Sequence, residues 1–523
     1  MAKLFNITGN CIPSLHYMAN MSNKLDQILT MVSNGYYFTI NKPRQYGKTT
    51  VIALLEQRLA KDKDYLVLGI SFEEIDAPTY NQQDSFISTF LDIVKEQLEF
   101  LGEKELTALT ENQKALTNFK QLDLFLTRLI ADSGRKVVMM LDEVDKASNN
   151  QLFLDFLGML RAKYLKRNQG KGHTFHTVIL AGVHDVKTLK AKIRPGEKRM
   201  YNSPWNIAVD FNIDFNLSVD EIASMLEDYA LEREVNLDIP FFARNIFYFT
   251  SGYPFLVSYL CKIMDEEILP LKKKEWKPED LVQAVQFSLM KNNTNFESLI
   301  KNLENNTELY DFVFEIIMNE REYTYNQHNP LIHFGVVHGI LKNEQGKVRV
   351  HNRLYEQIIY NYMTSKMETS GKVKFDHISS SFLNENGDLC IEKMIRKFQE
   401  FMKEQGSVKD KDFLERNGRM LFLAFLRPIL NGKGFDFKEV QVSEEKRLDV
   451  VITFQNKKYI IELKIWRGES YHQAGIEQLC DYLDIQNQAT GYLVIFDLRK
   501  QSGLVGEWKR LEVRGKKIFT AWV

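Results

Sequence analysis

A short run near the amino end of the chain decides the fold, and its sequence is Lys42-Pro43-Arg44-Gln45-Tyr46-Gly47-Lys48-Thr49. It follows an apolar segment, residues 36–40, that is typical of a buried strand. It leads into residues 49–59, which are predicted to form a helix. Backbone N–H groups at the start of a helix bind phosphate, and a glycine lets the chain approach the ligand closely. The run therefore predicts an α/β domain with a phosphate-binding loop between its first strand and a helix.

The side chains at the end of this run suit the binding of a nucleotide together with Mg²⁺. Lys48 would reach the β- and γ-phosphates, and the Thr49 hydroxyl would hold the metal ion. The ending Gly-Lys-Thr is that of a Walker A loop, although Lys42 stands where the first glycine of that motif is usual. A surface turn with this sequence is the alternative. The residues expected to bind ATP are Arg44, Gln45, Tyr46, Gly47, Lys48, Thr49, Thr50 and Asp142.

A second apolar strand supplies acidic residues. Residues 137–141 are Val-Val-Met-Met-Leu, and Asp142 and Glu143 follow them. In open α/β sheets, ligands bind outside the carboxyl ends of the strands. Asp142 would coordinate Mg²⁺ through water, and Glu143 would polarise a water molecule for ATP hydrolysis. The alternative is that both residues only cap the helix that follows, and the Gly-Lys-Thr loop upstream favours the catalytic interpretation.

The two motifs together resemble those of AAA-like ATPases of the P-loop superfamily, over about residues 15–360. The resemblance implies a sensor of the γ-phosphate at His184 or Asp185, after the predicted fourth strand. A surface turn is the alternative there. Arg194 and Arg199 are candidate arginine fingers, which would stabilise charge on the transferred phosphate. Their alternative role is that of exposed, solubilising side chains.

Alternating strands and helices in the first part of the chain favour a parallel sheet with helices on both faces. Its strands are predicted at residues 36–40, 65–71, 136–141, 176–181 and 206–211. A mostly helical region follows, in which Ser251-Gly252-Tyr253-Pro254 resembles a turn in the helical lid of signal-transducing P-loop ATPases. A helix, turn and strand over residues 335–350 suggest a winged helix. We therefore predict an ATPase domain at residues 1–215, a lid and winged-helix region at 216–365 and a further domain at 366–523.

The last third of the chain contains a second candidate site on two predicted strands. Asp449 lies on the first strand, and Glu462 and Lys464 share one face of the next because side chains alternate with period two. The turn between the strands is tight, so antiparallel pairing would bring Asp449 close to Glu462. Two carboxylates so placed bind Mg²⁺, and a neighbouring lysine orients water and offsets phosphate charge. This pattern predicts metal-assisted phosphodiester hydrolysis, with a solvated strand face as the alternative.

The order Asp, Glu-x-Lys resembles the PD-(D/E)XK nuclease superfamily over about residues 380–500. On the predicted helix that follows, Gln478 and Tyr482 resemble the RecB-like branch, and Glu415 could be contributed by a preceding helix. We therefore predict a C-terminal mixed α/β nuclease-like domain. Such domains can lose catalysis and keep nucleic-acid binding, which is the alternative. The catalytic residues implied by the resemblance are Asp449, Glu462, Lys464 and Gln478, with Asp449 and Glu462 as metal ligands.

Two short segments after Lys464 contain aromatic residues, and the sequence allows more than one role for them. Trp466 and Tyr471 could stack on a base, with Arg467 holding phosphate, or Trp466 could belong to the core. His472 is expected to be structural or to face a substrate rather than to ligate metal.

Composition constrains location and partners. The chain has 523 residues and a net charge of -1, so any nucleic-acid-binding surface must be local. Its four cysteines are far apart, which fits a reducing compartment rather than a disulfide framework. No run of about 18 apolar residues predicts a membrane span, and the start of the chain lacks the apolar stretch of a signal peptide. We expect a cytoplasmic protein without a membrane partner.

The leading functional hypothesis is an ATP-hydrolysing protein with a Mg²⁺-dependent nuclease acting on nucleic acid, with DNA as the expected substrate. The resemblance to AAA-like ATPases implies self-association into homo-oligomers. A role in bacterial defence or mobile-element control rests on fold-level analogy. The alternative is a nucleotide-dependent switch whose C-terminal domain binds nucleic acid or a partner without cleavage.

Overall fold

The structure, a computed structural model, divides into two compact units. The first unit comprises Met1–Asn302, Tyr325–Glu344 and Arg349–Tyr355. The second comprises Leu303–Thr324, Gln345–Val348 and Glu356–Val523. The residues that the structure describes are 3–111, 116–147, 150–183, 205–271, 274–318, 321–369, 382, 384, 388–408, 422, 425–426, 434–438, 441–443, 446–447, 450–454, 457–497 and 506–523.

A parallel sheet forms the centre of the first unit. Among the described residues its strands are β1 (Phe38–Asn41), β2 (Tyr65–Ser71), β3 (Lys136–Asp142) and β4 (Thr177–Gly182). Their order is β1-β4-β3-β2, and each adjacent pair is parallel. The predicted parallel α/β fold is confirmed. Because the strands are parallel, their carboxyl ends point the same way. The loop after β1 and the acidic end of β3 therefore lie at the same end of the sheet, with β4 between the two strands.

Helices connect the strands and continue after them. Their bounds are α1 (Ser22–Ser33), α2 (Lys48–Leu59), α3 (Gln83–Phe100), α4 (Lys104–Glu111), α5 (Phe119–Ser133), α6 (Gln151–Asn168), α7 (Val219–Arg233), α8 (Ile239–Thr250), α9 (Pro254–Ile263), α10 (Pro278–Met290), α11 (Thr294–Asn305), α12 (Thr307–Met318), α13 (Pro330–Val337), α14 (Arg353–Thr369), α15 (Ile391–Val408) and α16 (Glu469–Ile485).

The two faces of the parallel sheet are covered differently. Leu66, Leu68 and Ile70 of β2 lie in a large apolar core with buried residues of α3, α5 and α6. Gly69, which points to the other face because side chains alternate along a strand, lies against Glu56 of α2. Helices therefore cover both faces of the sheet. The continuous apolar composition of β3 follows from this burial on both sides.

The prediction of a fifth strand at residues 206–211 is wrong. The segment makes a single parallel bridge, Phe38 to Val209, outside the sheet strands. Its backbone turns back at its start, because the Ala208 N–H donates to the Trp205 carbonyl at 3.2 Å. Trp205 is fully buried and stacks on Tyr37, with 5.8 Å between ring centroids. The apolar residues that suggested a strand serve here to anchor a turn in the core.

After the helical region, a short hairpin is described between α13 and α14. Its strands are β5 (Leu341–Glu344) and β6 (Lys347–Val350). The helix, turn and strand expected over residues 335–350 follow one another in that order, and β5 is an additional strand before the turn. The winged helix and the three predicted domain boundaries stay predictions.

The second unit contains a mixed sheet. Its described strands are β7 (Gly434–Lys438), β10 (Val450–Phe454), β11 (Lys457–Ile465), β12 (Thr490–Phe496), β13 (Trp508–Val513) and β14 (Lys516–Trp522), while β8 (Gln441–Ser443) and β9 (Lys446–Arg447) pair separately. The order is β13-β14-β12-β11-β10-β7. β11 pairs antiparallel with β10 and parallel with β12. The predicted mixed α/β arrangement is therefore present.

Two further strands, β13 and β14, follow β12 along the chain and were not predicted from the sequence. β14 pairs parallel with β12 and covers what would otherwise be an open sheet edge. β13 is mostly exposed, so its sequence Trp508-Lys509-Arg510-Leu511-Glu512-Val513 has charged residues on both faces and no clear apolar alternation. That exposure explains why the sequence pattern did not predict it.

Candidate functional site

Two residues of the phosphate loop in the first unit, Gln45 and Gly47, have left-handed backbone geometry. Gly47 is the residue before α2 and has φ 80°. A residue with a side chain is strained at this φ, so glycine is required to join the loop to the helix. The free N–H groups of the first turn of α2 consequently face the loop. This geometry is that of a phosphate-binding helix start.

Lys48, the first residue of α2, is buried inside the loop. Its ammonium group donates to the carbonyl oxygens of Lys42 at 2.9 Å and Pro43 at 2.8 Å. Burial lowers the pKa of Lys48, and the carboxylates of Asp145, Glu143 and Asp142 act against that change. The loop carbonyls and the acidic end of β3 thus hold a cation at the point where phosphate is expected.

The two residues predicted to hold Mg²⁺ at this site are in direct contact. The Thr49 hydroxyl donates to Oδ2 of Asp142 at 2.9 Å, although 93 residues separate them. Oδ1 of Asp142 accepts from the backbone N–H of Glu143 at 2.9 Å. Mg²⁺ prefers oxygen ligands such as hydroxyl and carboxylate groups. In nucleotide sites it takes only a few ligands from the protein, and phosphate oxygens and water supply the others. The donor set therefore fits the metal.

Glu143 directly follows the end of β3 with φ 55°, a left-handed geometry uncommon for a residue with a side chain. Burial raises the pKa of Glu143, and the nearby charge of Asp142 adds to the effect while Lys48 opposes it. A carboxylate with a raised pKa is a stronger base, which suits activation of water.

Sequence reasoning missed Asp145, which lies two residues after Glu143 in a short 3-10 turn. Its Oδ2 accepts from the backbone N–H of Val183, after β4, at 2.6 Å. The approach is close, since a side-chain carbon added at Gly182 would lie 2.9 Å from Oδ1 of Asp145. Asp145 therefore ties the end of β3 to the end of β4. Its spacing of three residues from Asp142 was the available signal.

Tyr46 links the loop to a distant segment, a second feature that sequence reasoning did not identify. Its hydroxyl donates to Oδ1 of Asn216 at 2.6 Å and lies 2.9 Å from Nε2 of His351. The ring of Tyr46 packs edge-on against Tyr253, with 4.6 Å between centroids. The Tyr253 hydroxyl in turn donates to the Arg44 carbonyl at 2.6 Å.

The other predicted loop residues lie around a cavity or face away from it. Arg44 and Gln45 are exposed and line a cavity of about 480 Å³. Nε2 of Gln45 donates to the Thr294 hydroxyl of α11 at 2.9 Å. Thr50 is buried, and its hydroxyl accepts from the Cys11 N–H at 3.0 Å. Of these three, Arg44 and Gln45 are placed to meet a ligand from the cavity side.

Several predicted residues of the first site lie outside the described residues. These are the sensor candidates and the arginine-finger candidates, His184, Asp185, Arg194 and Arg199.

In the second unit, four predicted residues form one network between β11 and α16. Glu462 is buried, with 1% of its surface exposed, and its Oε1 lies 2.9 Å from Nζ of Lys464. Lys464 also donates to Oε1 of Gln478 at 3.4 Å. Nε2 of Gln478 donates to the Tyr482 hydroxyl at 2.6 Å. The helix therefore holds the lysine in place beside the buried carboxylate.

The alternation of β11 explains why this network faces the helix. Ile460 packs in the core with Leu479 of α16, and Glu462 and Lys464 follow at intervals of two on the same face. Gly475 of α16 lies against the Lys464 side chain. A side-chain carbon added at Gly475 would lie 3.7 Å from Cγ of Lys464. The absence of a side chain at Gly475 leaves room for the lysine under the helix.

Asp449 and Glu415 lie outside the described residues. The last described pair between β10 and β11 joins Val450 to Ile461. Within the described part of the chain, no group of three or more His, Cys, Asp or Glu side chains is arranged to hold a metal ion.

The aromatic residues after Lys464 lie near the start of α16. Trp466 lies 5.6 Å from His472 and 6.5 Å from Trp522 between ring centroids. Trp466 is half-buried and packs against the core, and Tyr471 is 37% exposed. Burial lowers the pKa of His472. Packing of Trp466 therefore accounts for its position, while Tyr471 is the more accessible ring.

Three features define the first unit as a P-loop ATPase. They are strand β1, a loop that ends in Gly47 and leads into α2, and a parallel strand of the same sheet that ends at Asp142 and is followed by Glu143. Residues 10–361 match the family model described as AAA-like domain, and the chain belongs to that family. ATP binding and ATPase-like function follow from this membership. Among curated proteins, none matches the chain.

Solved structures show more distant likenesses. The Walker-type ATPase PABY2304 of Pyrococcus abyssi has a TM-score of 0.47 and 10% identity, covering 68% of this chain and 99% of its own. The Aeropyrum pernix ORC2 protein has a TM-score of 0.36 and 12% identity, covering 69% and 96%. A Thermotoga maritima RuvB variant has a TM-score of 0.34 and 13% identity, covering 65% and 95%. The family match, rather than these likenesses, carries the assignment.

None of the described helices combines the length and apolarity that crossing a bilayer requires.

Proposed function

We propose that this ATPase acts together with a Mg²⁺-dependent nuclease site in its second unit, and that the substrate is DNA. The observation that carries the nuclease proposal is the network of Glu462, Lys464, Gln478 and Tyr482. A buried carboxylate and a lysine on one strand face, held by a glutamine from the covering helix, match the residue order of PD-(D/E)XK nucleases.

In the ATPase site, each residue has a proposed role. Lys48 would bind the β- and γ-phosphates, and Thr49 and Asp142 would hold Mg²⁺, which when bound neutralises phosphate charge. Glu143 would take a proton from the attacking water, in keeping with its raised pKa. Arg44 and Gln45 would contact the nucleotide from the cavity.

In the nuclease site, we assign the metal to Glu462 and Asp449. Residue 449 precedes the described start of β10, where Val450 pairs with Ile461 in an antiparallel register. The described antiparallel pairing of β10 with β11 is the pairing expected from the sequence to bring the two carboxylates together. Lys464 would then hold the phosphate or orient water, and Gln478 would position Lys464. Bound Mg²⁺ would supply a more acidic water molecule.

The partners and location follow from the same reasoning. We propose homo-oligomers, as the resemblance to AAA-like ATPases implies, and a cytoplasmic location, which fits the four free cysteines. A role in bacterial defence or mobile-element control remains an analogy at the level of fold.

The nuclease is tested with the purified full chain, Mg²⁺, and plasmid or linear DNA, with and without ATP. We expect cleavage by the wild type and a loss of at least about 100-fold in the Glu462→Gln variant, since a metal ligand is removed. Glu477→Gln is the matched control, because Glu477 is an exposed carboxylate on α16 beside Gln478. Equal activity of the Glu462 and Glu477 variants, or intact DNA under every condition, would contradict the proposal.

A nucleotide-dependent switch without cleavage is the second candidate. The observation in its favour is the 2.9 Å ion pair between Lys464 and Glu462, because a buried pair of this kind can be purely structural. This candidate predicts that Lys48→Ala abolishes ATP-dependent assembly or DNA binding, while Glu462→Gln leaves both intact and no variant cleaves DNA. Cleavage that depends on Glu462 would exclude it.

A further inference from the structure

The cavity beside the phosphate loop has more cationic than anionic side chains in its lining. Arg44 approaches from the loop and Lys301 from α11, and Asp145 is the acidic residue of the lining. Within the described residues, neither Arg44 nor Lys301 has a carboxylate within ion-pair distance. Asp145 already accepts the Val183 N–H at 2.6 Å. A concave surface with this charge favours an anionic ligand.

The position of the cavity beside the ends of β3 and β4 indicates which anion it would bind. Asp145 and Val183 lie beyond the ends of β3 and β4, and β4 separates the loop strand β1 from the Asp142 strand β3. The cavity therefore adjoins the space between the phosphate loop and the residue expected to hold the metal. A nucleotide whose inner phosphates lie on the start of α2 would extend its terminal phosphate toward this space.

Helix α11 is held against the loop in a way that directs Lys301 to the cavity. Thr294, its first residue, accepts a hydrogen bond from Gln45, and Asn295 accepts one from the Tyr355 hydroxyl at 2.7 Å. Thr294, Ser298 and Lys301 follow at helical spacing and line the same cavity. The amino end of α11 also carries partial positive charge.

We propose that Lys301, together with Arg44, binds the terminal phosphate of the bound nucleotide and so lets the protein distinguish ATP from ADP. This inference rests on the ATP-binding function of the first unit and adds a residue from a helix far along the chain. Lys301 is exposed and lines the cavity, so a ligand can reach its ammonium group without rearrangement of the core.

The test measures the affinity of the full chain for ADP and for a non-hydrolysable ATP analogue with Mg²⁺, by calorimetry. We expect Lys301→Ala to weaken binding of the ATP analogue roughly tenfold, the usual loss for a charge-assisted hydrogen bond, and to change ADP affinity by less than about twofold. Lys301→Arg should keep most of the preference. Arg44→Ala should act in the same direction as Lys301→Ala.

The matched control is Lys291→Ala, because Lys291 is exposed just before α11, pairs with Glu267 and lies outside the cavity lining. It should leave both affinities unchanged. Equal losses for the two nucleotides in Lys301→Ala, or no loss for either, would overturn the role of Lys301 while ATP binding stands. A wild-type chain that binds neither nucleotide would overturn the ATP-binding function as well.

Discussion

Burial changes the acid–base behaviour of the side chains around the phosphate loop. It lowers the pKa of Lys48 and raises the pKa of Glu143, so each group is pushed toward its neutral form. The two charges also stabilise each other, because each carboxylate near the loop raises the pKa of the lysine. Phosphate binding would strengthen the charged form of Lys48. Local geometry and burial thus adjust the site before a ligand enters.

His351 shows the strongest consequence of burial near the loop. It is fully enclosed beside Tyr46 and Tyr253, and burial lowers its pKa to about 3, with Lys342 adding to the effect. An unfolded histidine has a pKa of about 6.5. Between these values the unfolded chain binds a proton that the folded chain does not. The folded state is therefore favoured above pH 6.5 and loses stability as the pH falls toward 3.

We predict that the free energy of unfolding of the first unit decreases by up to about 1.4 kcal/mol per pH unit below about pH 6.5 because of His351. His351→Gln should remove this part of the slope, although it lowers stability at neutral pH. The measurement is denaturant unfolding between pH 7.5 and about pH 5. His328→Gln, at an exposed histidine, should keep the wild-type slope. A His351 variant with an unchanged slope would show that this histidine titrates normally.

At the scale of elements, one glycine fixes the junction between α8 and α9. Gly252 has φ 74°, and an added side-chain carbon would lie 2.1 Å from the Leu217 carbonyl oxygen. One backbone hydrogen bond joins the same two residues, since the Leu217 N–H donates to the Gly252 carbonyl at 2.7 Å. The segment leading into α7 therefore packs on the backbone of this turn. Ser251-Gly252-Tyr253-Pro254 was selected from sequence as a lid turn, and its close backbone contact gives a physical reason for the glycine.

We predict that Gly252→Ala destabilises the first unit by several kcal/mol, about 3 or more, because the backbone of Leu217 must move. Gly170→Ala is the matched control, since Gly170 has a similar φ of 69° but open space around it. It should cost only about 1 kcal/mol, from the left-handed geometry alone. Chemical denaturation of both variants measures the difference. Equal losses would mean that the contact at Leu217 adjusts freely.

Strands were predictable where both of their faces are buried. The predictions at residues 65–71 and 136–141 agree with β2 and β3 because their apolar runs are continuous. Prediction failed at residues 206–211, where apolar side chains anchor a turn, and at 508–513, where an edge strand is exposed. In both cases the packing partners, rather than the local composition, decide the conformation.

At the scale of the whole molecule, the chain places its two candidate sites in separate compact units, each with its own apolar core. The ATP site, from Arg44 to Asp145, belongs to the first unit. The network of Glu462 and Lys464 belongs to the second. A ligand of the first site should therefore stabilise the unit that contains it.

We predict two transitions in calorimetric unfolding. A non-hydrolysable ATP analogue should raise the midpoint temperature of one of them, the transition of the first unit. At a ligand concentration about 100 times the dissociation constant, the gain in stability is about 2.7 kcal/mol. Lys48→Ala should abolish the shift, because the variant loses its phosphate-binding cation. A single transition would contradict separate unfolding of the two units, and a shift that persists in the Lys48 variant would contradict the role of Lys48 in nucleotide binding.

The sequence by itself determined the features that depend on neighbouring residues. The Gly-Lys-Thr loop after a strand, the Asp142-Glu143 strand end and the alternation of Glu462 and Lys464 could all be recognised locally. Only the tertiary structure decided which distant groups meet, such as Tyr46 with His351 across 305 residues or Asp145 with Val183. Local patterns record backbone preference and burial, whereas such contacts depend on the path of the whole chain. That path also brought Lys301 of α11 to the cavity beside the phosphate loop.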